Sequence, residues 1–293
     1  MSHLSDIRKQ IEDLYPDMSP VFQKVARFVL KEPSKIALYP IRQIADLAQV
    51  STSTVIRFVS MLGYESYQAF RDALREDLSS PGVSRYGVDA KQLLRYKAGD
   101  TRGELWARTT DKLVQHLVET HNAIGASELQ RVAHLLHRAG RVGIYAFSGM
   151  HAAAFYLRYV LSYVLPDVRL LEDRASVFLH DLTNLGRDDA VVIISFEPYA
   201  VTAVEVAKYC AANRIPFVAI TDARLSPVSA DARHVLTVPV SGTSFYQTLV
   251  PTLALIEGII SYLVADIGES AVERVKEAFK KREELGLYWR EGK

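Results

Sequence analysis

Apolar residues in the first 80 positions recur at spacings of three and four. Leu4, Ile7, Ile11 and Leu14 form one stripe, and Pro16 closes the helix that carries it. Ser19-Pro20 supplies an N-cap followed by proline at the first helical position, and Val21, Val25, Phe28 and Val29 predict a second helix behind it. That helix must stop near Glu32-Pro33, because the residue before a proline is disfavoured in the helical region. The pattern breaks at Ser79-Ser80-Pro81-Gly82. Up to Gly103, Arg, Lys, Asp and Gly then mix with little periodicity, which predicts a linker with Leu93 and Leu94 partly packed.

Beyond Gly103 two amphipathic helices are expected, over about 104–123 and 127–139. Short apolar runs then alternate with helical ones. The runs 141–147, 168–171, 190–196, 216–221 and 234–239 read as buried strands, with a helix through Tyr163 after the first and one over 176–185 after the second. Strands of this length separated by helices predict an α/β architecture with a doubly wound, mostly five-stranded parallel sheet. Two long helices, roughly 245–267 and 269–285, close the chain.

The stretch 249–268 is apolar enough to invite comparison with a membrane span. It carries Pro251, Glu257 and Asp266, however, and an acid at the bilayer centre costs about 2.5–3.5 kcal/mol. A helix in a core or a subunit interface is expected instead, with no membrane partner. Composition agrees with a folded chain. At 293 residues and about 150 per domain, roughly two domains are expected. The 24% charged and 49% hydrophobic residues exclude a disordered or collagen-like chain. The single cysteine, Cys210, can make no internal disulfide and fits a reducing compartment. The segment Met1–Asp6 has no basic start followed by an apolar core, so no signal peptide is expected and the location is taken as cytoplasmic.

Residues 41–60 carry the sharpest local pattern. A helix-turn-helix packs two short helices at a steep angle, so its buried positions recur at fixed spacing. Ile41, Ile44, Ala48, Val50, Val55 and Phe58 are apolar where such a unit needs its core, and Ala45 is small where the helices touch. The turn position that usually holds glycine is Gln49, at a cost on the order of 1 kcal/mol if it is left-handed. The second helix would start at Ser51 and expose Thr52, Ser53, Thr54 and Arg57, small hydroxyls and a guanidinium suited to phosphates and base edges in a major groove. An ordinary helical hairpin with a hydroxylated surface satisfies the same spacing. Charge does not separate the two readings, since the whole chain has a net charge of +1 and residues 1–80 hold ten acids and ten bases.

The segment Met18-Ser19-Pro20 through Leu62-Gly63-Tyr64-Glu65-Ser66-Tyr67-Gln68-Ala69-Phe70 resembles the N-terminal domain of the RpiR/MurR family of bacterial transcription regulators. Ile44-Ala45-Asp46-Leu47-Ala48, Val50-Ser51, Thr54-Val55-Ile56-Arg57-Phe58 and Leu62-Gly63-Tyr64 fall in that family's order and spacing. The resemblance continues past residue 100, where the alternating strands are similar to a sugar isomerase (SIS) domain. It implies an all-α helix-turn-helix DNA-binding domain over 1–80, a linker over 81–103 and a SIS ligand-binding and oligomerisation domain over 104–293. It also implies DNA contacts from Ser51, Thr52, Ser53, Thr54, Arg57, Tyr64 and Gln68.

In open α/β sheets ligands bind at the carboxyl ends of strands, which here are Ser148-Gly149, Ser195 through Tyr199, and Thr221-Asp222. Similar SIS domains hold a sugar phosphate with a glycine-rich loop ending in Ser-Gly and a second loop reading Ser-x-Ser-Gly-x-Thr. The first is present here as 144–149 with bulkier residues in place of the other glycines. The second reads Ser195-Phe196-Glu197-Pro198-Tyr199-Ala200 and has lost most of its phosphate chemistry: Glu197 replaces a hydroxyl, Pro198 has no N–H, and Ala200 removes another hydroxyl. Ser148, Gly149, Ser195, Glu197, Tyr199 and Thr221 are the expected ligand-binding residues, for a sugar phosphate or a related carbohydrate-derived metabolite. Either Glu197 turns away, or a ligand bearing hydroxyls or an amine replaces the phosphate.

The sequence holds no P-loop, no G-x-G-x-x-G and no paired cysteines, so no cofactor, metal or catalytic residue is expected. His134 and His137 are expected to be solvated surface, and Cys210 to be core beside Val206, Ala207 and Ala211. Phe155, Tyr156, Tyr159 and Tyr163 suit a packed or subunit-facing helix. The leading reading is a ligand-responsive regulator, a dimer or tetramer that reads double-stranded DNA at a palindromic operator. A sugar-phosphate isomerase with Glu197 or His180 as base, a SIS scaffold without ligand, and a protein-binding module are the alternatives.

Overall fold

The computed structural model describes residues 3–79, 93, 102–172 and 177–289. Most of the expected linker lies outside them, Leu94 included, while Leu93 is half-buried. The described residues form two compact units. One falls within Met1–Thr109, Ala223–Ala230 and Gly242–Gln247, the other within Thr110–Asp222, Asp231–Ser241 and Thr248–Lys293.

The first unit is built from α1 (His3–Leu14), a 3₁₀ turn (Tyr15–Asp17), α2 (Pro20–Lys31), α3 (Pro33–Leu38), α4 (Ile41–Ala48), α5 (Thr52–Met61) and α6 (Tyr67–Ser79). The Phe22 N–H donates to the hydroxyl of Ser19, the N-cap of α2, and Pro20 occupies the first turn. Glu32 ends α2 and Pro33 opens α3, as the proline requires. Val21 departs from the expected stripe: it is 48% exposed, and the buried face runs instead through Val25, Ala26, Val29 and Leu30. Helical spacing alone admits either stripe, and packing of α2 against α5 selects the second. Ile7, Ile11, Ile36, Ile44, Phe58, Phe70 and Leu74 form the centre of this core.

Tyr67 ties α6 to the α3–α4 corner. Its hydroxyl lies 3.2 Å from the Ile36 carbonyl oxygen and 3.0 Å from that of Tyr39, to which it donates, and burial pushes its pKa up to about 12. Tyr67→Phe leaves these carbonyls without their donor and is expected to cost about 1–2 kcal/mol in a denaturant titration. Because the folded pKa lies above the unfolded value, the wild-type contribution is complete below about pH 10 and fades as pH rises through about 12. The wild-type advantage over Tyr67→Phe should shrink over that same range. An equally stable variant would show that the hydroxyl bonds to nothing of consequence.

The chain continues through α7 (Arg102–Ala123), α8 (Ala126–Arg138), β1 (Val142–Ala146), a 3₁₀ turn (Ser148–Met150), α9 (His151–Leu161), β2 (Val168–Leu170), α10 (Val177–Thr183), β3 (Ala190–Ile194), α11 (Val201–Ala212), β4 (Phe217–Thr221), β5 (His234–Thr237), α12 (Val250–Ile267) and α13 (Glu269–Glu284). The strands form one parallel sheet in the order β2-β1-β3-β4-β5, with Val142 opposite both Val168 and Ala190, and Ile194 opposite Ile220. Every residue of β1, β3 and β4 is buried, which is why these strands read as continuous apolar runs. The order reverses between β1 and β3, so their carboxyl ends flank the crevice of a doubly wound sheet.

The helix expected from 245 begins only at Val250. Pro251 lacks an N–H and clashes with the carbonyl four residues back, so it is accommodated in a first turn and not inside a helix. This α12 has the length and apolarity of a membrane span. Yet Leu255, Ile256, Ile259 and Leu263 are buried, α12 packs against α8 and α9, and its Glu257 and Asp266 accept hydrogen bonds from Tyr156 and His137. The aromatic residues of α9 are not core: Phe155 and Tyr159 are exposed, and a ladder of rings continues through Tyr163 to Phe279 and Tyr288. Cys210 is buried, and desolvation pushes its thiol up to about 12.

Candidate functional sites

The turn between α4 and α5 is built as its spacing requires. Gln49 is left-handed, with φ 52° and ψ 51°. Its N–H donates to the Asp46 carbonyl (3.0 Å), and the Val50 N–H donates to that of Ala45 (2.9 Å), closing a Schellman-type end on α4. The strain of a non-glycine residue here is offset locally, because Lys24 on α2 donates to the Gln49 side-chain oxygen at 3.1 Å. Ile44, Ala45, Ala48, Val55 and Phe58 are buried, and Ile41 and Val50 are partly buried.

Ser51 caps α5, accepting the Thr54 N–H at 3.2 Å. Its hydroxyl also lies 2.8 Å from those of Ser53 and Thr54, so three expected DNA-contacting groups form one cluster at a helix N-terminus, where unsatisfied N–H groups favour phosphate. Thr52 and Thr54 are half-buried, while Ser53, Ile56, Arg57 and Ser60 form the exposed face of α5. The Arg57 guanidinium lies 5.7 Å from the centre of the Phe22 ring, a cation–π contact that restricts its swing. Ile56, at 49% exposure, was legible only as helix spacing. An exposed aliphatic side chain beside Arg57 suits a thymine methyl. Tyr64 and Gln68 stand apart from this cluster: the Tyr64 ring packs edge-on to Phe70 (5.1 Å), and Gln68, on α6, donates to Asp72 and accepts from Arg71.

At the carboxyl ends of the strands, Ser148 is left-handed (φ 55°) and exposed, Gly149 is partly buried, and both open the turn into α9. Ser195 is 5% exposed and Thr221 fully buried. Thr221 reaches no open surface. It acts through its neighbour, donating to Asp222 Oδ1 at 3.3 Å. Tyr199 donates to the same oxygen at 2.7 Å, and the Glu197 N–H to Asp222 Oδ2 at 3.3 Å. Asp222 thereby joins the β3–α11 loop to the end of β4. His151 and Glu172, 2.6 Å apart, form a further pair beyond β1 and β2 that no motif signals.

The description of the rpiR-family helix-turn-helix domain matches residues 5–81, and that of the SIS domain matches residues 135–262. The chain belongs to the RpiR family. An uncharacterised HTH-type transcriptional regulator of Thermotoga maritima is 22% identical over 262 residues, 89% of either chain. A bifunctional protein glk of Paraburkholderia xenovorans is 26% identical over 195 residues, 65% of this chain but 29% of that protein. The solved structure of Vibrio vulnificus NanR, in complex with ManNAc-6P, shares the fold at a TM-score of 0.57 and 22% identity, covering 97% of this chain and 98% of that one.

In this RpiR-family chain, the structure adds detail at three histidines. His134 and His137 are not solvated surface alone: their Nδ1 atoms lie 3.4 and 2.7 Å from Asp266 Oδ2, and His137 chiefly holds that carboxyl below the ordinary range. Asp266 is 129 positions from His137, so no local pattern announces it. Among the described residues no group of three or more His, Cys, Asp or Glu could hold a metal. His180, weighed as an isomerase base, is exposed on α10 and paired at 3.0 Å with Asn184, just past the end of that helix.

Proposed function

We propose that this protein is a cytoplasmic, non-enzymatic transcription regulator. Residues 1–80 read a palindromic DNA operator, 81–103 link, and 104–293 bind a carbohydrate-derived effector and self-associate as a dimer or tetramer. The observation that carries the DNA reading is the division of α5. Val55, Phe58 and Val59 lock one face into the core, and Ser53, Ile56, Arg57 and Ser60 are left on the other, behind a hydroxyl-capped N-terminus. Ser51, Thr52 and Thr54 serve the phosphate backbone in this reading, with Tyr64 and Gln68 at its margin. The effector site is Ser148, Gly149, Ser195, Glu197, Tyr199 and Asp222, with the buried Thr221 acting through Asp222, at the crevice where strand order reverses. Self-association is supported by the exposed aromatic ladder on α9 and α13.

Selection from random duplex DNA, followed by anisotropy titration of the enriched sequence, tests this. The expected product is an inverted repeat with half-sites about 10 bp or a multiple apart, bound with an affinity that falls steeply with salt. A sugar from a carbohydrate panel is expected to shift that affinity. Failure to enrich any sequence would overturn the DNA reading, and turnover in a coupled ketose–aldose assay would overturn the non-enzymatic one.

A further inference from the structure

The crevice already holds an anion of its own. We propose that the Asp222 carboxylate occupies the anion-binding position of the β3–α11 loop, and that the effector is an unphosphorylated molecule bearing hydroxyl or amine groups. This inference rests on the effector-sensing reading above and narrows it.

A loop leading from a strand into a helix N-terminus binds phosphate because its N–H groups and hydroxyls have no other acceptor. In this protein two donors of that loop, and one from the end of β4, are taken up by a single carboxylate. The Glu197 N–H, the Tyr199 hydroxyl and the Thr221 hydroxyl all point to Asp222, at 3.3, 2.7 and 3.3 Å. Pro198 has no N–H to offer, and Ala200, the N-cap of α11, has no side-chain acceptor or donor. A phosphate that drew on these donors would displace Asp222 or stand against it, and like charges at that range repel strongly in a partly desolvated site.

The same arrangement defines what does fit. A carboxylate accepts hydrogen bonds and donates none, so a ligand that meets Asp222 must present O–H or N–H. Ser195, immediately before the loop, is 5% exposed and carries a hydroxyl, which can both donate and accept. A ligand hydroxyl beside it meets both a donor and an acceptor. Recognition of a polyhydroxyl or amino compound therefore satisfies groups that a phosphate would leave in conflict.

The test uses the full chain. Glucosamine, mannose and N-acetylmannosamine are each titrated beside the corresponding 6-phosphate, and inorganic phosphate is titrated alone, by thermal shift and calorimetry. At least one free sugar is expected to bind about tenfold or more tightly than its ester, with no response to inorganic phosphate. Asp222→Asn, which removes the charge and keeps the shape, is expected to raise affinity for inorganic phosphate and for the esters about tenfold or more, because the loop donors then face an entering anion. Wild-type preference for the ester in each pair overturns the proposal independently of any variant, and leaves effector sensing intact if the ester also shifts operator affinity. An Asp222→Asn protein that melts normally and gains no phosphate affinity overturns it as well. If neither sugars nor esters bind, the sensing reading falls, and this inference with it.

Discussion

Phe58→Ala is expected to destabilise the N-terminal unit by about 3–5 kcal/mol and to abolish operator binding at temperatures where the wild type binds fully. Phe58 is fully buried at the centre of α5, and its ring meets that of Phe22 edge-on with centroids 6.0 Å apart. Truncation removes the transfer free energy of the ring, leaves a cavity between α2 and α5, and forfeits an aromatic pair worth about 0.5–1.5 kcal/mol. A small domain has only about 5–15 kcal/mol of net stability, so this loss is a large share of it. Calorimetry of the full chain is the measurement. Loss of stability by the N-terminal unit, with the sheet-containing unit melting as before, is the expected outcome. A change below about 1 kcal/mol would show that α5 does not pack as described.

Arg57→Ala is expected to lower affinity for the selected operator about tenfold to a hundredfold while leaving the melting temperature nearly unchanged. The side chain is exposed on α5, and its contact with Phe22 contributes little to stability at a solvated site. A guanidinium that bonds a guanine edge bidentately is worth about 1–3 kcal/mol of discrimination. The form of the loss identifies the contact. Base reading weakens specific binding and spares nonspecific binding, whereas a phosphate contact weakens both and reduces the salt slope by about one. Arg57→Lys separates them further, since lysine keeps the charge without the fork. Operator affinity within twofold of wild type would remove Arg57 from the reading face.

Much of this protein is legible along the chain because its decisive patterns are local. The turn at Gln49 follows from the spacing of two short helices, the Ser51 cap from its place before a stripe, and the five strands from apolar runs too short for helices. These features depend on backbone geometry within a few residues, so they survive in one dimension. The stripe containing Val21 is less secure for the same reason: two neighbouring stripes satisfy one helical period, and only the helix across the core chooses between them.

The candidate effector site divides along the same boundary. Its place at the strand ends, and the loss of hydroxyls and an N–H from the β3–α11 loop, are written in residues 195–200. That Asp222, 25 positions from Glu197, takes up two donors of that loop is a consequence of β3 and β4 lying side by side. The approach of Asp266 to His134 and His137 likewise requires α12 to pack on α8. Residue type and spacing by themselves determined the alternation of strands and helices and the residues present in the loop, and permitted a helix-turn-helix that the family resemblance then favoured over a plain hairpin. Which carboxylate meets that loop's donors was decided only by the tertiary structure, because a hydrogen bond reaches about 3 Å in space and takes no account of distance along the chain.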